Sequence, residues 1–247
     1  ITRTYTFIIA IAMAPLRQAQ YSPTMLSIII PTLNAAAAIE RTLTALGTPE
    51  IATQIIVSDG GSTDETRSIA ERYGATVINA PKGRGSQLAA GADRATHPWL
   101  LFLHADTLLD AAWPQTFIAF VASPMTPPRA GVFKFTLDDP APAARRLEKI
   151  VVWRCRLLGL PYGDQGLLIS RQHYDQIGTF KGLPLFEDVE IVRRIGRRNI
   201  EYLELPAITS AVRYQKSGYV LRTLRNATCL SLYFAGLSPK LIGRLYQ

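Results

Sequence analysis

Four short segments carry acids, cations and glycines in an order that could build a site for a diphosphate. Pro31, Thr32 and Asn34 close the apolar run Leu26–Pro31. Asp59, Gly60, Gly61, Ser62 and Asp64 follow QIIVS at 54–58. Lys82, Gly83, Arg84 and Gly85 follow 75–79, and His104 and Asp106 follow 99–103. Together they offer carboxylates, two cations, flexible glycine backbone and, in Asp106, an acid able to hold a metal. That kit suits a nucleoside diphosphate. Each piece alone also has an ordinary reading. DGGST is a turn plus a helix cap. KGRG is a flexible basic loop, because Leu88 stands where a dinucleotide fingerprint needs a third glycine and no Gly-Lys-Ser/Thr ending is present. His104 and Asp106 share one side of an extended segment, so both face a metal or neither does.

These segments converge only if the runs before them are neighbouring strands. Strand-like and helix-like stretches alternate every 20–30 residues, which predicts an α/β fold. Its frame is an open, mostly parallel sheet with helices on both faces and a Rossmann-like N-terminal half. In such sheets ligands bind beyond the carboxyl ends of the strands. Asn34 is expected to cap a helix running through 41–46, and Ser62 or Thr63 a helix over 64–73 closed by Gly74. Further helices are expected at 85–95, 108–121, 145–158 and 187–195, with a last one at 221–233. Strands are expected at 131–137, 167–170 and, briefly, 202–205. The Pro-rich stretch 122–129 reads as a break.

Composition excludes several classes. At 247 residues, 48% hydrophobic and 19% charged, the chain is not disordered. Residues 1–192 hold 17 basic and 17 acidic side chains, and residues 193–247 hold 10 and 2. That asymmetry implies either an anionic partner near the C-terminal part or simple solubility. The basic excess carries no nucleic-acid-binding motif, so no nucleic-acid partner is expected. Cys155 and Cys229 read as small buried hydrophobes. Residues 7–14 are apolar but far short of the roughly 20 residues a spanning helix needs. Met25 directly precedes the first good strand. Residues 1–24 are therefore expected to be a poorly packed extension upstream of the natural start.

The blocks LSIIIPTLN, IIVSDGGSTDET, PKGRGSQLAAGA, LLFLHADT, GDQG and FEDVEIVRRI, in that order, resemble a family 2 inverting glycosyltransferase of the GT-A fold. The resemblance spans residues 26–215. The GRG-x-Q-x-x-AGA and HADT signatures are similar to the arsenosugar or carotenoid-acid glycosyltransferase branch. It implies a single GT-A domain over 25–215, followed by a basic amphipathic helical segment at 216–247. It also implies that Pro31, Thr32, Asn34, Asp59, Lys82, Arg84 and His104 contact the donor nucleotide, with Asp59 on the base. Asp106 would hold the Mn²⁺ or Mg²⁺ ion. Most relatives place Glu after the residue matched by Asn34, where this chain has Ala35. His104 replaces the first acid of the family's Asp-x-Asp motif, and an imidazole can replace that acid's hydrogen bond but not its charge. Asp188 matches the catalytic base, Asp164, Gln165 and Glu187 the acceptor and sugar site, and Arg213 a weaker phosphate contact. Helix-dipole acids are the plain alternative for Glu187 and Asp188.

The expected activity is transfer of a hexose from a nucleotide-diphosphate sugar, a UDP-sugar foremost, to a small-molecule or lipid acceptor such as a carotenoid carboxylate. The processive signature is missing, which predicts a single transfer. The expected location is cytoplasmic, with peripheral contact at the cytoplasmic membrane face through residues 216–247 as an alternative to simple packing. Two other functions compete: a nucleotide-sugar-binding relative without activity, and a sugar nucleotidyltransferase. The latter needs a Gly-rich basic loop after the first strand, where this chain has PTLNAAAA.

Overall fold

β1 (Leu26–Thr32) is buried at all seven positions, as a strand covered on both faces must be. Its side chains alternate between two cores. Leu26, Ile28 and Ile30 meet Ile39, Leu43 and Leu46 of α1 (Ala36–Leu46). Ile29, on the other face, meets Leu88 and Ala92 of α3 (Arg84–Arg94). The computed structural model describes residues 24–124 and 128–246. The reading of the N-terminal extension lies, through residue 23, outside the described residues.

β1 pairs in parallel with β2 (Thr53–Asp59) and β4 (Trp99–Phe102), and β2 with β3 (Thr76–Asn79). The remaining strands are β5 (Thr107–Leu109), β6 (Ala130–Leu137), β7 (Leu167–Ser170) and β8 (Ile200–Thr209). The sheet order is β3-β2-β1-β4-β7-β6-β8-β5. β7 runs antiparallel to both neighbours and β5 antiparallel to β8, while β6 and β8 are parallel. The expected α/β, mostly parallel sheet is therefore present, with its parallel N-terminal half intact.

The other helices are α2 (Thr66–Arg72), α4 (Trp113–Ala122), α5 (Pro142–Leu158), α6 (Arg171–Gln176), α7 (Glu187–Ile195), α8 (Val212–Ser217), α9 (Tyr219–Phe234) and α10 (Pro239–Tyr246). No described helix is long and apolar enough to cross a membrane.

Several local expectations are corrected. Asn34 does not cap α1. It sits one residue too early, at φ +50°, and its Oδ1 accepts the Thr63 N–H at 2.9 Å. The start of α1 is instead satisfied across space: Ala35 N–H donates to Thr66 Oγ1 at 2.7 Å and Ala36 N–H to Asp64 Oδ2 at 3.1 Å. Nor do Ser62 and Thr63 cap α2, which starts at Thr66, with Asp64 Oδ1 accepting the Thr66 N–H. The helix expected from 108 is a strand first, because Leu108 and Leu109 pair with Ile208 and Ala207. An Asp110 turn then starts α4. β8 is ten residues rather than four. Pro206 falls just past a register shift opposite Val132 and Lys134, where the ladder tolerates a residue without an N–H. α10 follows the helix expected to be last.

The GRG-x-Q-x-x-AGA stretch is a packing device. A Cβ at Gly91 would lie 2.4 Å from Ile29 Cγ2 and 2.5 Å from Ser58 Oγ, and one at Gly85 2.1 Å from the Lys181 carbonyl oxygen. Only hydrogen at Gly91 lets α3 lie this close to β1 and β2, and only hydrogen at Gly85 lets its start lie against the loop at Lys181. Buried Gln87 then donates to the Thr32 and Ser58 carbonyls at 2.6 and 2.9 Å, tying the carboxyl ends of both strands to α3.

Candidate active site

The turn after β4 carries His104 and Asp106 to one wall of a cavity of about 130 Å³. Asp188, in the first turn of α7, stands on another wall, and the Tyr162–Asp164 turn lies between. Arg84 from the start of α3 and Arg213 from α8 supply cations. Asp106 and Asp188, remote in sequence, thus share one cavity.

Asp188 is firmly oriented. Its Oδ2 accepts the Gly163 N–H at 2.8 Å and its Oδ1 the Val189 N–H at 2.7 Å. Each oxygen keeps a lone pair. The residue before the helix, Phe186, holds φ +65°, a conformation that costs a bulky residue about 1–3 kcal/mol and that clusters at functional sites. Its ring packs on Tyr233 of α9 at 4.8 Å, so the C-terminal helices help hold the turn that presents Asp188.

His104 lies against the same turn. A Cβ at Gly163 would be 2.5 Å from His104 Nε2 and 3.6 Å from Asp188 Oδ2. Burial, with help from the Arg84 and Arg213 cations and against the pull of Asp188, drives the imidazole down to about 3. It is neutral at physiological pH. Asp164 is shifted the other way. Burial above all, opposed by Arg154 but reinforced by Asp188 and Asp106, raises its carboxyl to about 6, and its Oδ1 has no hydrogen-bond partner among the described residues.

Glu187 does not line this cavity. It is buried and pairs with Arg84 Nε at 2.8 Å. Burial first and Asp188 second nevertheless raise it to about 7, against the pull of Arg84. The desolvation of a carboxylate with almost no water contact outweighs one half-exposed guanidinium. Gln165 is likewise spent on the fold: its amide donates to the Phe133 carbonyl at 3.0 Å and accepts from Tyr162 N–H and the Cys155 thiol. Lys82 is exposed and away from the cavity.

Asp59, Pro31, Thr32 and Asn34 gather at the carboxyl ends of β1 and β2, outside the cavity. Asp59 is buried, and its carboxylate accepts from Thr32 Oγ1, Ser62 Oγ and the Gly61 and Ser62 N–H groups, with Arg67 at 3.5 Å. Burial alone would raise its pKa, but Ser62, Gly61 and Thr32 together hold it below the usual value. The carboxylate is organising its own loop.

The described residues contain no group of three or more His, Cys, Asp or Glu able to cage a metal ion. Of the cavity's carboxylates, Asp106 takes part in no hydrogen bond or ion pair among the described residues. That fits an ion held mostly by ligand oxygens.

Arg213, the weaker phosphate candidate, and its neighbour Tyr214 line the cavity from α8. Sequence reasoning missed the wall built by α9: Arg222, Asn226 and Cys229 line the cavity, and no spacing in the chain announced them. The expectation that both cysteines are buried holds.

An eight-stranded α/β sheet with acids and arginines at its carboxyl edge is the architecture of GT-A glycosyltransferases. Across 90% of this chain and 69% of the other, it overlays the crystal structure of S. aureus TarS (residues 1–349) with a TM-score of 0.62 at 17% identity. A Mycobacterium tuberculosis glucosyl-3-phosphoglycerate synthase, solved with Mn²⁺, uridine diphosphate and glucosyl-3-phosphoglycerate, overlays with a TM-score of 0.54 at 18% identity, covering 74% of this chain and 70% of that one. Residues 27–146 match the model of Glycosyl transferase family 2, which supports a family 2 glycosyltransferase reading of that stretch. In sequence it is 39% identical over 107 residues to a Mycobacterium bovis PGL/p-HBAD biosynthesis glycosyltransferase, a match covering 40% of this chain and 41% of the relative. It is 33% identical over 117 residues to a validoxylamine A glucosyltransferase of Streptomyces hygroscopicus, covering 40% and 26%. The matched part is thus well under half of each curated relative.

Proposed function

We propose that the chain transfers a hexose from a nucleotide-diphosphate sugar, a UDP-sugar foremost, to a small-molecule or lipid acceptor by a single inverting displacement. The observation that carries this reading is the shared cavity of Asp106 and Asp188, flanked by Arg84 and Arg213. The cavity is smaller than the roughly 300–1,000 Å³ of a whole ligand site. It would take the sugar and the attacking hydroxyl, with the nucleotide along the strand ends by Pro31, Thr32, Asn34 and Asp59.

In this reading Asp188 is the general base. Its two backbone hydrogen bonds aim the carboxylate, and it takes the acceptor's proton as that oxygen bonds to the sugar's anomeric carbon and the diphosphate departs. Such a base contributes roughly 10²–10⁴ in rate. Arg84 and Arg213 face the charge that develops on the leaving group. Neutral His104 offers a hydrogen bond beside the base. Asp164, raised to about 6 and so mostly ionised at neutral pH, can accept from a sugar hydroxyl. Glu187 acts as a positioning residue by fixing Arg84. Asp106 would hold Mn²⁺ or Mg²⁺, which supplies charge neutralisation of the diphosphate when bound. A carotenoid carboxylate or similar lipidic acid is the acceptor type drawn from the branch resemblance.

The test is nucleotide release from UDP-, GDP-, TDP- and CDP-sugars with Mn²⁺. Release is expected with one of them and is expected to be lost in Asp106→Ala and Asp188→Asn. Tight donor binding with no turnover on any acceptor would favour the second reading, a nucleotide-sugar binder without transfer, which His104 in place of an acid motivates.

A further inference from the structure

We propose that the outward face shared by α5 and α9 docks on an anionic lipid bilayer. The buried side of α5 carries Leu147, Val151 and Cys155. Its exposed side is nevertheless apolar at a helical spacing: Ile150, Trp153 and Leu157 are 52%, 60% and 47% exposed. α9, in contact with α5, turns Cys229 and Leu230 inward and leaves Val220, Leu221 and Leu224 at 74%, 68% and 60% exposed. Six large apolar side chains on two touching helices are a patch, not the scattered exposure every protein shows.

The exposed charges on the two helices have one sign. Exposed Arg146, Lys149 and Arg156 border the patch on α5 and exposed Lys216 precedes α9, while the one acid on either helix, Glu148, is tied to Arg145 and the Leu137 N–H. From residue 205 to 247 the chain holds six basic residues and no acid. Apolar anchors within a basic rim match an anionic interface, where the acyl boundary takes the first and the headgroups the second. An exposed tryptophan among them has the side chain enriched at that depth. A second copy of the chain is a poor occupant, since a two-fold contact would set this basic rim against itself.

α9 connects this face to the cavity. Arg222, Asn226 and Cys229 on its inner side line the cavity, while Val220, Leu221 and Leu224 point away. Docking would bring the cavity within about one helix diameter, roughly 10 Å, of the lipid. That consequence rests on the lipid-acceptor reading above, whereas docking itself does not depend on transfer.

The experiment uses the full chain with phosphatidylcholine vesicles, with and without phosphatidylserine, at low and high salt. Of the three tryptophans, Trp99 and Trp113 are buried and only Trp153 is exposed. Lipids brominated on the acyl chain should therefore quench Trp153 selectively. Cosedimentation with the phosphatidylserine vesicles, weakened by salt and accompanied by quenching, is expected. Lys149→Glu and Arg156→Glu should each lower partition about fivefold or more, and the Leu221→Asp, Leu224→Asp pair should abolish it with the melting temperature unchanged. No binding to anionic vesicles at low salt would overturn the proposal. So would binding that these changes leave intact, or a concentration-dependent dimer that they dissolve. Failure of the unmodified chain to bind the vesicles, with nucleotide release retained, would refute docking alone. Vesicle binding with Asp188→Asn fully active would refute the assignment of the base and leave docking standing.

Discussion

Gly163→Ala isolates the geometry on which the reaction rests. The new methyl would sit 2.5 Å from His104 Nε2, well inside van der Waals contact, and 3.6 Å from Asp188 Oδ2. Gly163 is not among the positive-φ glycines, so backbone strain does not confuse the result. The turn must shift or the imidazole must swing out, and either movement disturbs the 2.8 Å bond from Gly163 N–H to Asp188. Overpacking of this kind costs about 1–3 kcal/mol. For a domain of this size that lowers the melting temperature by roughly 2–12 °C. A displacement near 1 Å in the base should cost turnover about 10²-fold. Nucleotide binding, measured by thermal shift, should hold, because the strand-end residues around Asp59 lie elsewhere. His104→Ala combined with Gly163→Ala removes the atom that is struck, so stability should return while activity stays low. A Gly163→Ala enzyme with near-normal turnover would refute the placing of His104, Gly163 and Asp188 as one reacting unit. A double variant no more stable than the single would refute the steric cause.

Asp164→Asn tests the burial of that carboxyl. A folded value of about 6 against an ordinary 3.8 means that the folded state binds more protons between those values. The fold therefore loses stability as pH rises from about 4 to 6, and the penalty is complete above that. The neutral amide should recover a ceiling of roughly 3 kcal/mol at pH 8, less to the extent that water reaches the site, and nothing at pH 4. Denaturant titrations at both ends check this, and equal gains at both would contradict it. Glu187→Gln should likewise flatten the stability profile between about 4.5 and 7, where burial raises the acid, and lower donor affinity through a looser Arg84. Unchanged affinity would remove Glu187's positioning role. Gly91→Ala should destabilise the protein despite a helix-propensity gain of about 1 kcal/mol, because the methyl meets Ile29 and Ser58. A higher melting temperature would show that α3 can back away from the sheet.

The sequence alone determined the strand frame, because a strand buried on both faces must be apolar throughout and its chain direction then dictates which polar residues collect at the carboxyl edge. LSIII, QIIVS and WLLF announce themselves in this way, and Asp106 was legible as a candidate for that edge, while Asp188 was a candidate only through the family resemblance. Everything that depends on a partner distant in the chain was not legible. Asn34 was one residue from capping α1, and a threonine and an aspartate beyond β2 did so instead. Leu108 and Leu109 have no local reason to be a strand until β8 lies beside them. Glu187 and Asp188 are adjacent and chemically alike, yet packing turns one into a buried ion pair and the other into the cavity. The wall from α9 follows the same rule. An amphipathic helix declares that it has an inner face, but only the surface it meets decides whether that face closes a core or, as with Arg222 and Asn226, lines a site.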